Sequence, residues 1–551
     1  MKKLKIALCQ TNPCVGDIEG NSQEIISKYL EAEKQNCDLI VFPEMAICGY
    51  DCKDLLLKDF FLEDIKEKSL KICQETLNKN CAIIFGSPTT SMNKSGKKIT
   101  HNSAILIENG EIKDIANKKS LPNKEVFDEK RYFQESKYLS YPSLKGFTLN
   151  ILICEDMWSN INATLASQQI FDFSVAINAS PFHKNKSQER FSAAQNFSKQ
   201  TDKPLIYCNL TGGQDELVFD GNSFVINQSQ EKILALNSFQ EDFKIFEITK
   251  ENQKITTSSP SHQKNPTNIN QSIYQASVLG LRDYIRKNNF QKIILGMSGG
   301  IDSAIAATIA TDALGPENVG IYALPTKFNS EESLKDAKDC AKNLNLDLKV
   351  IEIEDIFQNM LKSLGDINAV AKQNLQSRIR GNILMSISND TGALLLSTGN
   401  KSELAVGYAT IYGDMCGAFN PIKDIYKTEI FNLANWRNEN IPEISLLQKK
   451  DLIPQNIITK EPTAELAPNQ KDSDSLPKYE ILDGILNLLI EEQKSIKEIV
   501  SFGFNEDIVK KVAKLFYSSQ YKRSQSPIGP KISKMPFGIE RRYPITNRYC
   551  K

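Results

Sequence analysis

Residues 292–314 read KIILGMSGGIDSAIAATIATDAL. An aliphatic run stops at a loop of serines and glycines, and an alanine-rich apolar segment follows. The pattern predicts a strand, a loop and a helix. Glycines let a backbone turn sharply and approach a ligand closely, and the free N–H groups at a helix start suit phosphate. Asp302 in that loop repels bare phosphate. It makes sense where Mg²⁺ bridges its carboxylate to phosphates. The loop lacks the Gly-Lys-Ser/Thr ending of the common P-loop. Around it lie a helix-like stretch at 274–287 and strand-like runs at 320–324, 348–353 and 393–397. That alternation predicts a doubly wound parallel sheet.

Upstream, residues 251–270 (ENQKITTSSPSHQKNPTNIN) hold only two aliphatic side chains, Ile255 and Ile269, in a polar run broken by prolines. No element buries a face there, so the stretch is expected to be a linker. It divides the chain into residues 1–250 and residues 271–551. The first part also alternates short apolar strands, at 4–9, 38–42, 82–85, 103–108, 147–153, 173–178, 205–209 and 223–226, with amphipathic helices. Several strands end abruptly in a polar or reactive residue: Glu44 after LIVFP, Cys154 after LNILI, Ser180 after FSVAINA. In α/β proteins chemistry collects just beyond strand ends. A catalytic cysteine needs a base for its proton and a cation for its thiolate. Glu44 and Lys118, each after its own strand, are candidates, although a lone Cys is usually core and a lone Lys or Glu usually a solvated surface charge.

Composition narrows the function. The 551 residues carry 67 Lys+Arg against 67 Asp+Glu, a formal charge of zero. This argues against a protein that coats nucleic acid or a membrane surface. No apolar run is long enough to span a bilayer. The start, MKKLKIALCQTNP, lacks the apolar core of a signal peptide because Lys5 interrupts it, so a cytoplasmic address is expected. The 12 cysteines form no Cys-x-x-Cys pair and only 3 histidines accompany them. A zinc or redox protein is disfavoured, and most thiols are expected to be buried and free.

Four segments of the first part, VFPEMAICGY (41–50), KKSLPNKEVFDEKRYF (118–133), ICEDMW (153–158) and NASPFH (178–183), resemble the carbon–nitrogen hydrolase (nitrilase) superfamily. With YCNLTGGQDELVFDGNSF (207–224) they look like the glutaminase domain of the glutamine-dependent NAD⁺ synthetase family. The resemblance implies an α-β-β-α sandwich. It implies Glu44 as base, Cys154 as the nucleophile that forms a thioester with glutamine, and Lys118 as the thiolate and oxyanion partner. The family spacing Lys-x-x-Leu-Pro selects Lys118 over Lys119. Glu129 matches a second glutamate that orients the site, and Ser180 and Lys186 match glutamine contacts. The family reads LPNYGVFDE where this chain reads LPNKEVFDE, so Lys124 stands in place of a glutamine-contacting tyrosine and is the candidate contact there.

SGGIDS after a strand resembles the pyrophosphate loop of the ATP pyrophosphatase superfamily. QNLQSRIRG (373–381), LLSTGNKSELAVGYATIYGDM (395–415) and PIKDIYK (421–427) are similar to NAD⁺ synthetase. The resemblance implies ATP contacts at Gly296, Met297, Ser298, Gly299, Gly300, Ile301, Asp302, Ser303, Thr398 and Lys427. It implies Mg²⁺ at Asp302 and Glu403, and deamido-NAD⁺ contacts at Asn374, Arg378, Glu403 and Lys522, with Arg380 on the same helix. The proline-rich stretch 461–483 is expected to be a lid. The tail 521–544 is either a dinucleotide contact through Lys522 or a solvated basic stretch. The implied activity is ATP-dependent amidation of deamido-NAD⁺ with ammonia released from glutamine and channelled between sites, in a homo-oligomer. Two alternatives stand beside it: an ammonia-dependent enzyme with a degenerate first domain, and an amidotransferase with another carboxylate acceptor.

Overall fold

The computed structural model describes residues 1–251, 254–258, 268–463, 465–467, 470, 472–474 and 476–549. The chain divides into two compact units, Met1–Gln214 with Val218–Pro266, and Asp215–Leu217 with Thr267–Lys551.

The first unit is built on two sheets. One runs in the order Lys254–Ser258, Asp242–Glu251, Lys2–Gln10, Leu39–Val41, Ala82–Met92, Lys98–Glu108, Glu111–Asn117; the other in the order Lys232–Ala235, Phe224–Ile226, Leu205–Asn209, Phe173–Asn178, Phe147–Ile153, Ser143–Leu144. Their central strands are parallel. They carry near-continuous aliphatic runs because both faces are covered. Alternate side chains, including Leu8, Val41 and Ile84 from one sheet and Leu149, Ile151, Val175 and Ile177 from the other, form a shared core. The opposite face of the second sheet, with Leu152, Ala176 and Tyr207, packs on Met157, Ala163, Ala194 and Phe197 of the helices. Helices Ile18–Lys34 and Asp59–Glu75 pack against strands of the first sheet. The result is the expected α-β-β-α sandwich.

One expectation fails inside the stretch read as linker. Lys254–Ser258 pairs antiparallel with Asp242–Glu251 at the sheet edge and buries Ile255. An edge strand needs only one ladder and one apolar contact, so a polar run with a single isoleucine suffices. Residues 252–253 and 259–267 lie outside the described residues.

The second unit holds a four-stranded parallel sheet in the order Leu348–Val350, Val319–Ala323, Ile293–Gly296, Leu394–Leu395. The strand order reverses at Ile293–Gly296, the topological switch point where α/β sheets place ligands. Helix Ile301–Leu314 is buried almost throughout, between Ile269–Lys287 and Lys427–Glu439. Its Ala/Ile/Thr composition has no polar face because it needs none. Helices Tyr479–Ile490 and Glu506–Ser518 form a separate core with Leu404, Ala405 and Val406. The tail is not a solvated stretch. Lys531, Ile532 and Ser533 are buried, and Asp424 accepts the N–H groups of Ile532 (2.8 Å) and Ser533 (2.6 Å).

Among the described residues the cysteines are free, and all but Cys14 and Cys416 are buried. No helix among them is long and apolar enough to cross a membrane.

Candidate active sites

Glu44, Lys118, Cys154 and Ser180 lie just beyond the strands Leu39–Val41, Glu111–Asn117, Phe147–Ile153 and Phe173–Asn178. Gly86 on the neighbouring strand makes room for the first of these. A methyl group there would lie 2.2 Å from Met45 N and 2.5 Å from Glu44 Cα. Lys118 donates to Glu44 Oε1 and Glu129 Oε1, each at 2.8 Å, and its side chain is fully buried. Lys119 instead reaches the Lys137 carbonyl. The Glu44 carboxylate also accepts from Asn102 Nδ2 on Oε1 and from the Ala179 N–H on Oε2, both at 2.7 Å. Three donors leave about one of its roughly four acceptor sites open. Tyr50 Oη donates to Glu129 Oε1 at 3.0 Å.

Cys154 sits at φ 45° between its strand and the short helix Glu155–Trp158. This backbone region is costly for a residue with a Cβ, and such outliers gather at functional sites. Burial pushes its thiol well above the usual range. The charge of Glu44 adds to that, and Lys118 opposes it. Burial works against the charge on Lys118, but Glu129 and Glu44 outweigh it and hold its ammonium protonated. Glu129 is raised to about 7 by burial, against the pull of Lys118.

The candidate glutamine contacts differ in setting. Ser180 is buried, and its Oγ accepts from Arg190 Nε at 3.1 Å. Lys186 lies 4.5 Å from the Trp158 ring centroid, and burial lowers its pKa. Lys124 is exposed and pairs with Glu155 at 3.5 Å.

In the second unit the loop after Ile293–Gly296 lines a cavity of about 670 Å³. Gly299 has φ +84°, and a methyl group there would lie 2.1 Å from the Ser333 carbonyl oxygen. Ser303 Oγ donates to the Gly300 carbonyl (3.0 Å) and accepts from the Ser298 N–H (3.2 Å), so the loop is shaped before any ligand arrives. Lys427 Nζ donates to Asp302 Oδ2 and, at 3.4 Å, to Glu403 Oε1. Burial and the charge of Asp302 push Glu403 up to about 8. Asn400 joins the two acids: its Nδ2 donates to Asp302 Oδ1 and its Oδ1 accepts the Glu403 N–H, both at 3.0 Å. This donor set fits Mg²⁺, a hard cation that takes one or two carboxylates together with phosphate oxygens and water.

Thr398, Asn374, Arg380 and Lys522 line the same cavity. Lys522 donates to the Gly407 and Ala409 carbonyls, each at 2.7 Å. Arg378 is exposed and donates to the Ile411 carbonyl at 3.2 Å; it is not among the cavity-lining side chains. Two residues along the helix turn its direction by about 200° from that of Arg380.

The two units match two family models, carbon-nitrogen hydrolase over residues 5–253 and NAD synthase over residues 273–526. The glutamine-dependent NAD(+) synthetase of Acinetobacter baylyi is 41% identical over 552 residues, covering 99% of both chains. That of Thermotoga maritima is 38% identical, covering 100% of this chain and 99% of its own. The chain belongs to the glutamine-dependent NAD(+) synthetase family. A solved structure of the family, from Acinetobacter baumannii in complex with adenosine diphosphate, superposes with a TM-score of 0.78 at 38% identity over 99% of each chain.

Within this family frame, Asn102, Asp156, Arg190 and Asn400 were not singled out from the sequence. Asn400 lies inside the quoted STGNKSE run, between the two acids it joins, and that placement was the available signal. Asn102 shows only as a polar break in the strand THNSAILIE.

Proposed function

We propose that the chain makes NAD⁺ from deamido-NAD⁺, ATP and glutamine, the first unit releasing ammonia and the second consuming it. The observation that carries the reading is the full-length match to the family together with a buried Glu44–Lys118–Glu129 set beside Cys154.

In the first unit Cys154 Sγ attacks the side-chain amide carbon of glutamine while Glu44 takes the thiol proton at its open acceptor position and passes it to the departing ammonia. Lys118, kept charged by its two carboxylates, stabilises the thiolate and the oxyanion. Water then cleaves the thioester to glutamate. Ser180 and Lys186 take the α-carboxylate of glutamine, and the exposed Lys124, paired with Glu155, is a further candidate contact for it.

In the second unit the nicotinate carboxylate attacks the α-phosphorus of ATP, and pyrophosphate leaves into the Ser298–Ser303 loop, whose N–H groups receive it. Asp302 and Glu403 would hold Mg²⁺, whose charge offsets that of the phosphates. Lys427 faces the same phosphates. Asn374, Arg380 and Lys522 face the dinucleotide, and Arg378 contributes from the rim through its charge. Ammonia attacks the acyl adenylate and AMP departs. Neutral ammonia is the nucleophile and ammonium is not, which favours delivery without release.

The test is NAD⁺ formation from ATP, Mg²⁺ and deamido-NAD⁺ with glutamine or ammonium as donor. Both donors succeed in the intact protein, and Cys154→Ala loses only the glutamine route. NAD⁺ from ammonium alone would mean a silent first unit, and no NAD⁺ from either would mean another acceptor. Labelled glutamine diluted with unlabelled ammonium reads out whether ammonia is handed over, and light scattering reads the expected homo-oligomer.

A further inference from the structure

Asp156 is nearly fully buried and lies two residues beyond Cys154. Its Oδ1 accepts the backbone N–H groups of Ser120 (2.7 Å) and Lys119 (3.1 Å), and its Oδ2 accepts the Ile153 N–H (3.1 Å). One carboxylate therefore grips the chain immediately after Lys118 and immediately before Cys154. Asn162 Nδ2 backs this arrangement, with bonds to Ser120 Oγ (2.9 Å), the Asp156 carbonyl (3.2 Å) and Asp156 Oδ1 (3.4 Å).

The two anchored segments come from different sheets. Lys118 follows the edge strand Glu111–Asn117 of the seven-stranded sheet, and Cys154 follows Phe147–Ile153 of the six-stranded sheet. Apolar packing between sheets is non-directional and sets their separation far more loosely than hydrogen bonds do. A buried carboxylate is costly unless its acceptors are filled, so a site that keeps one has a geometric use for it. We propose that Asp156 is a positioning residue for glutamine hydrolysis, a strap that holds the Lys118 ammonium in register with the Cys154 thiolate. A second directional tie between the sheets, the Ala179 N–H to Glu44 Oε2 at 2.7 Å, does the same for the base. Asp156 touches no reacting atom in this arrangement; it acts through the backbone on either side.

The inference rests on the proposed glutaminase. Its test uses the full-length chain and reads kcat and KM for glutamine hydrolysis, the melting temperature, and NAD⁺ formation from ammonium. Asp156→Asn places an amide donor against the Ile153 or Ser120 N–H. Loss of register by a fraction of an ångström to about 1 Å predicts a fall in kcat of roughly 10–100-fold. KM and the ammonium route are expected to stay near the parent values, while the melting temperature falls modestly because a buried N–H loses its acceptor. Asn162→Ala loosens the strap without breaking it and lowers kcat several-fold, again without a change in KM. A kcat for Asp156→Asn within about twofold of the parent overturns the strap. So does a joint loss of kcat, glutamine affinity and melting temperature, which marks a purely structural group. Should Asp156→Asn fail to fold, Asn162→Ala decides alone, and an unchanged kcat overturns the proposal. If instead Cys154→Ala still hydrolyses glutamine, the glutaminase reading itself has failed.

Discussion

Both candidate sites set one lysine between two carboxylates, and they do so to different ends. Lys118 is fully buried, its bonds to Glu44 and Glu129 are both 2.8 Å, and those acids are 1% and 3% exposed. That set is closed: one buried ammonium is shared by both acids, and Glu44 keeps an acceptor position for the Cys154 proton. Lys427 is bound to Asp302 and, more loosely at 3.4 Å, to Glu403, and these acids are 18% and 17% exposed at the edge of the large cavity. That set is provisional. Glu403, raised to about 8, is short of positive charge until a cation arrives. A site whose reagents are all side chains can be assembled in advance, whereas a site for ATP and a metal ion keeps its electrostatics open.

Mutations can break this comparison. The largest effect is expected from Cys154→Ala, which lowers glutamine-dependent NAD⁺ formation by about 10⁴-fold or more and leaves the ammonium-dependent rate unchanged, measured side by side. A parallel loss of both rates would mean the first set also serves the second unit. Next is Lys118→Met, which leaves two buried carboxylates facing each other and costs about 3–5 kcal/mol in thermal or denaturant unfolding. Lys427→Met costs clearly less, because water reaches Asp302 and Glu403. Equal losses would show that the second set is as closed as the first.

Asp302→Asn is expected to lower both donor routes together by on the order of 10²–10³ in kcat, since the Mg²⁺ that would offset the phosphate charge loses a carboxylate ligand. Asn400→Ala removes the bridge between Asp302 and Glu403 and the cap of helix Lys401–Val406. It costs about 1 kcal/mol of stability and raises the Mg²⁺ concentration needed for half-maximal rate.

The smallest effect sharpens the closed set. Burial raises Glu129 to about 7, with Lys118 opposing and Glu44 adding. Between roughly pH 4.3 and that value the folded protein keeps a proton the unfolded chain has lost, so this group's contribution to stability falls as pH rises. Glu129→Gln removes that slope, and its melting temperature relative to the parent should rise between about pH 5 and pH 8. A constant difference would show that Glu129 is already ionised at the lower pH.

The sequence exposed the reactive residues and hid their supports. Glu44, Cys154 and Ser180 stand out because each ends a run of aliphatic residues, where a polar side chain has no packing role. The Ser298–Ser303 loop stands out because serines and glycines interrupt two apolar segments. Asn102, Asp156 and Asn400 are ordinary polar residues whose importance lies in partners many positions away. Arg378 and Arg380 look equivalent in QSRIRG, yet only Arg380 points into the cavity. Two positions on a helix differ by about 200° around its axis, so the partner element decides which one faces the ligand.

By itself the sequence determined the two α/β units, the switch-point loop and the residue types that perform each reaction, because these follow from local periodicity and from polar residues placed at strand ends. Only the tertiary structure decided that Arg380 rather than Arg378 lines the cavity, that Asp156 ties the Lys118 segment to the Cys154 turn, and that residues 254–258 join a sheet edge instead of hanging free. Those outcomes depend on which strands become neighbours and on where single hydrogen-bond donors point, and both are set by long-range packing that no local pattern encodes.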